Sequence, residues 1–99
     1  MDEIKKRIKV TRGQFALIGR GDYADVYEGG RVDISIGGKA TIRRNGTATL
    51  YGGFASIHKG GRAEVYEDGF VVVHKGGFAF VWPGGRATGD GEIDEFDKI

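Results

Sequence analysis

From Ile8 to Gly89 the chain sets two small or branched aliphatic positions, two residues apart, into nearly every stretch of eight. The first position is held by Ile8, Ala16, Ala24, Val32, Ala40, Ala48, Ala55, Ala63, Val71, Ala79 and Ala87. The second is held by Val10, Ile18, Val26, Ile34, Ile42, Leu50, Ile57, Val65, Val73 and Val81, with Gly89 closing the series. The eleven copies keep phase except for one seven-residue step, Ala48 to Ala55, so a corner residue is missing near Tyr51-Gly52-Gly53. Residues two apart share one face of an extended strand. The residues between and beside them vary freely, as Asp33, Thr41, Thr49, Ser56 and Glu64 show. Each copy therefore predicts a half-buried strand of four or five residues. Between copies stand corners such as Gly29-Gly30, Asn45-Gly46, Gly60-Gly61 and Asp68-Gly69, whose residues accept positive φ at low steric cost. No helical period survives after residue 12.

Short strands on an eight-residue clock fit two topologies. In a β-solenoid each strand stacks in parallel on the strand one coil earlier. In an up-and-down antiparallel meander or barrel, three-residue turns keep the apolar face intact, so parity alone does not exclude it. Volume favours the solenoid. A barrel of ten or eleven strands is wide, and one Ala with one Val or Ile per strand leaves voids that cost about 24 cal/mol per Å³. The prediction is all-β, a short β-solenoid of about eleven octad strands. The match of residues 53–66 to residues 69–82 suggests two octads per coil. The likeness of Ala24-Asp-Val-Tyr-Glu to Ala63-Glu-Val-Tyr-Glu spans an odd number of octads and keeps a triangular coil open.

The Gly-x-Ala-x-Val octad, over residues 8–89, resembles the octapeptide-repeat β-solenoid proteins of bacteria and phages. It is also loosely similar to the 16-residue solenoid of ice-nucleation proteins. The first resemblance implies architecture and no catalytic residues. The second implies arrays of Thr-x-Thr, of which only Thr47-Ala48-Thr49 is present, too little for an ice-binding face.

Composition narrows the picture further. Nineteen glycines in 99 residues without a G-X-Y period exclude collagen, and the absence of Cys excludes disulfides and thiolate metal sites. No apolar run approaches a membrane span or a signal-peptide core, which together with the missing cysteines suits a cytoplasmic protein. A net charge of +1 predicts no attraction to nucleic acid or to a membrane. The chain reads as a single domain over 1–99, with a basic cap at 1–7, the octad region at 8–89 and an acidic tail at 90–99. Residues 1–12 carry five cations against two acids, and residues 88–99 five acids against one cation. Charged ends cap a stack against edge-to-edge addition, although opposite signs also favour head-to-tail contact.

Candidate chemistry is sparse. His58 and His74 hold equivalent places 16 residues apart, each followed by Lys, and predict an outward His ladder at a corner rather than a metal pair. Residues 89–96 look like the second half of an EF-hand loop, but Arg86 and Thr88 fall where oxygen ligands are needed, so the segment reads as an acidic tail. No nucleophile elbow, phosphate loop or catalytic triad is present, and no catalytic residue, metal or cofactor is expected. Phe54, Tyr66, Phe70, Phe78, Phe80 and Trp82 all fall on the outward side of their octads. Exposed aromatics mark partner surfaces. The expectation is a non-enzymatic scaffold or interaction module whose aromatic patch, from Phe70 to Trp82, meets a protein partner or another copy. Two alternatives fit the same regularity: an idealised β protein made without a biological activity, and a small phage-type inhibitor of a host protein.

Overall fold

The computed structural model describes residues 6–95; most of the basic cap and the last four residues of the acidic tail lie outside them. Twelve strands follow one another with no helix among the described residues: β1 (Lys6–Val10), β2 (Phe15–Ile18), β3 (Asp22–Val26), β4 (Arg31–Ile34), β5 (Lys39–Ile42) and β6 (Thr47–Leu50), then β7 (Phe54–Ile57), β8 (Arg62–Val65), β9 (Phe70–Val73), β10 (Phe78–Val81), β11 (Arg86–Thr88) and β12 (Glu92–Glu95). From β3 onward every strand pairs in parallel with the strand two before it. The odd strands form sheet A in the order β1-β3-β5-β7-β9-β11, and the even strands form sheet B in the order β2-β4-β6-β8-β10-β12. The protein is a β-solenoid of about six turns, each turn made of two octads. This settles the coil as two-sided and corrects both the triangular coil and the meander, because no antiparallel ladder crosses any corner.

The register explains why the repeat works. Ala24 lies on Ala40 and Ala40 on Ala55 in sheet A; Ala48 lies on Ala63 and Ala63 on Ala79 in sheet B. Like residues stack on like, so each sheet presents one row of small side chains and one row of branched ones to a shared interior. Ala40, Ala48, Ala63 and Ala79 are 2%, 0%, 4% and 0% exposed, and the branched residues Ile34, Ile42, Leu50 and Ile57 are fully buried. The small row lets two sheets approach without leaving voids.

Corners are closed by i-to-i+3 bonds, such as the Gly30 N–H donating to the Tyr27 carbonyl at 2.9 Å and the Gly46 N–H to the Arg43 carbonyl at 2.9 Å. The two corner residues serve different needs. The first takes positive φ, as Gly29 (80°), Asn45 (61°) and Asp68 (75°) do. The second sits against the preceding rung: a Cβ on Gly30 would stand 2.7 Å from the Val10 carbonyl oxygen.

Two turns depart from sixteen residues. Across the seven-residue step the pairing offset is 15, Lys39 on Phe54 and Thr47 on Arg62. At the carboxyl end it is 14, Phe78 on Glu92. That shorter corner, Gly89–Gly91, brings Glu92–Glu95 into sheet B as a twelfth strand where the pattern predicts only an acidic tail. It also corrects the EF-hand likeness, since Arg86–Thr88 and Glu92–Glu95 are strands of opposite sheets. In β12, Ile93 takes the first inward position and Glu95 takes the second, beside Val81. Glu95 is exposed, and a charge at that place on a terminal strand opposes the addition of a further strand.

Candidate functional site

With the interior filled by aliphatics, any function resides on the outward rows. Successive octads alternate between sheets, so the nominated aromatics separate. Phe54 and Phe70 stack on sheet A, with ring centroids 5.4 Å apart. Phe78 and Phe80 belong to β10 of sheet B, and Tyr66 and Trp82 lie one residue past the sheet B strands β8 and β10. The expected single patch from Phe70 to Trp82 is therefore corrected to two groups on opposite faces.

On sheet A the polar groups of β1, β3 and β5 around Asp25 bind one another. Asp25, only 8% exposed, receives Arg7 at 3.3 Å and Arg43 at 3.4 Å. The Tyr23 hydroxyl bonds Thr41, and the Arg7 guanidinium lies over the Tyr23 ring. At the adjoining corner the His58 and His74 rings stack with centroids 4.5 Å apart and planes within 8°. Stacked imidazoles aim their nitrogens sideways rather than at a common ion, and His74 Nε2 is already bonded to Ser56 Oγ at 3.0 Å. Among the described residues no group of three His, Cys, Asp or Glu is placed to hold a metal.

Partial burial, the neighbouring His74 and then Arg43 hold the His58 pKa below its ordinary 6.5. The folded protein thus resists a proton that the unfolded chain accepts. Stability is present above the unfolded value and falls as pH drops through 6.5 toward the lower folded value. We expect the melting temperature to decline on acidification from about pH 7 to pH 5, and the decline to be smaller in His58→Gln. A His58→Gln curve parallel to the wild type would remove this contribution.

Sheet B is different. A ladder of Tyr51, Tyr66 and Trp82 runs along its corner, with centroids 5.3 and 5.7 Å apart and planes within 6°. Phe80 meets Trp82 edge-on at 5.1 Å, and the Trp82 indole N–H donates to Glu64 at 3.1 Å. Burial first, and the Glu64 carboxylate second, raise the Tyr66 hydroxyl pKa above its usual value. Ladder rings face one another and offer edges outward, a poor platform for a flat sugar ring.

Two further outward rows cross sheet B. One reads Phe15, Arg31, Thr47, Arg62, Phe78, Glu92; the other reads Leu17, Asp33, Thr49, Glu64, Phe80, Asp94. Arg31 lies toward the Phe15 ring and Arg62 toward the Phe78 ring, at 5.7 and 5.8 Å. Both lean away from Thr47, and a hollow of about 390 Å³ opens between them over Thr47 and Thr49. Among the described residues neither arginine has an acidic partner, and Asp33 Oδ1 is buried without a hydrogen bond. Phe15 and Leu17 are 54% and 71% exposed, more than any nominated aromatic. Reading by sixteens down the rows, rather than along the chain, exposes them as members of this face. Comparison of the chain with protein-family models, curated proteins and solved structures finds no match.

Proposed function

We propose that this protein is a non-enzymatic scaffold whose sheet B is a protein-interaction surface, meeting either another copy or a different protein. The observation that carries this reading is the cluster of Phe78, Phe80, Trp82 and Tyr66, half-buried on a sheet whose strands are locked by ladders on either side. Rigid aromatics lose little side-chain freedom on association, which makes them efficient anchors. Sheet A supports the reading by contrast, because its buried carboxylate, Asp25, is held by Arg7 and Arg43 of the same chain.

Photo-crosslinking tests it. A benzoylphenylalanine at position 80 is expected to give a discrete adduct, whether of twice the chain mass or of the chain plus a partner. The same group at position 54, on the opposite sheet, is expected to give none. Absence of a discrete adduct from position 80, or equal adducts from both positions, would overturn the interaction reading.

A further inference from the structure

We propose that sheet B is a homodimer face, on which two copies pack about a two-fold axis parallel to the direction in which the rungs stack. The inference rests on the interaction reading and names the partner as a second copy. Under that axis each strand lies over the same strand of the partner, running the opposite way. The residue at the first outward position then meets the one at the second.

The two rows are complementary under this operation. Arg31 meets the partner's Asp33, and Arg62 meets the partner's Glu64. Phe15 meets the partner's Leu17, and Phe78 meets the partner's Phe80. Thr47 meets the partner's Thr49, where the hollow gives the arginines room to swing off their rings. Each contact occurs twice, as an isologous interface requires. Only Glu92 and Asp94 of the last rung oppose acid with acid, and both are exposed at the open end of the sheet. The other in-plane axis, parallel to the strands and centred on β6, fails: it sets Arg31 on the partner's Arg62 and Asp33 on the partner's Glu64. Sheet A lacks this complementarity: under the same axis none of its rungs sets an acid against a base, and Arg7 would meet the partner's Lys9.

The proposed contact also gives the groups that the single chain leaves unmatched a use. Arg31 and Arg62 gain carboxylates, and the exposed Phe15 and Leu17 are covered. Six strands at ~4.8 Å and four residues at ~3.3 Å make a footprint of roughly 29 by 13 Å. Counted on both copies that is about 750 Å², below the size of a stable interface and in the range of weak, transient contacts, so the dimer dissociates at micromolar or higher concentration.

Sedimentation velocity over a concentration series tests the arrangement, with circular dichroism to confirm folding. Arg31→Asp places two carboxylates opposite each other twice and is expected to weaken the dimer about tenfold or more. Asp33→Arg is expected to do the same with cations. The double variant Arg31→Asp/Asp33→Arg exchanges the two charges and is expected to restore association. A wild type that stays monomeric throughout the series overturns the dimer, while a hetero-adduct from position 80 would leave the interaction reading standing. A dimer indifferent to the single swaps, or a folded double variant that stays monomeric, overturns this two-fold arrangement.

Discussion

Leu50→Ala is expected to cost about 3–5 kcal/mol of stability. Leu50 ends β6 near the middle of the stack, fully buried, with Ile34 on one side and Val65 on the other in the same row. Those neighbours are fixed by parallel ladders and cannot slide into the space that three lost carbons leave, so both the transfer free energy and the cavity count against the variant. A domain of this size is stable by about 5–15 kcal/mol in all, so the loss is a large fraction of the total. The control is Ile93→Ala in the terminal strand β12, where the side chain is only partly buried against the core. There the expected cost is about 1 kcal/mol, since less area is removed from water and the end rung can relax. Chemical denaturation of both variants gives the comparison. Equal losses, or a Leu50→Ala cost under about 1.5 kcal/mol, would mean that the interior is not close-packed.

Gly53→Ala is expected to cost about 3 kcal/mol or more, whereas Gly13→Ala is expected to cost about 1 kcal/mol. Both glycines have nearly the same φ, 78° and 79°. The strain of placing an L side chain in that region is therefore common to the two. Their surroundings differ. A Cβ on Gly13 meets nothing within 4 Å, but one on Gly53 would stand 2.6 Å from the Gly38 carbonyl oxygen and 2.6 Å from an Ile34 methyl. The Gly38 oxygen accepts the Phe54 N–H at 3.0 Å, so moving it breaks the bond that starts β7. The difference between the two denaturation midpoints isolates that clash. Equal midpoint shifts would mean that the seven-residue corner has slack to give.

The interior and the corners were legible in the sequence because the same physical demand recurs at every octad. A position that stacks on itself, such as Ala40 on Ala55, must satisfy one neighbourhood repeatedly, and its residue type repeats with it. Coil size was only half legible: the His58-Lys59-Gly60-Gly61 and His74-Lys75-Gly76-Gly77 match points to sixteen residues, but local patterning is the same for two or three octads per turn. The twelfth strand was hidden by its shortened corner and by Glu95 in an inward position, both of which break the pattern that identifies a copy. The aromatic face was misjudged for a different reason. Neighbours in sequence lie on opposite sheets, whereas Phe15, Arg31, Thr47 and Arg62 are adjacent in space across 47 residues of chain. Only the turn length reveals that adjacency.

The offsets of 15 and 14 residues at two turns carry an evolutionary consequence. A codon lost within a strand would flip every later side chain of that strand from inside to outside. A residue fewer at a bend leaves both neighbouring segments in phase, as the short corners around Gly52 and Gly89 do. Deletions in such a gene are thus filtered by location, harmless at the bends and ruinous between them, and the chain's length can drift by single residues while its inner lining stays the same.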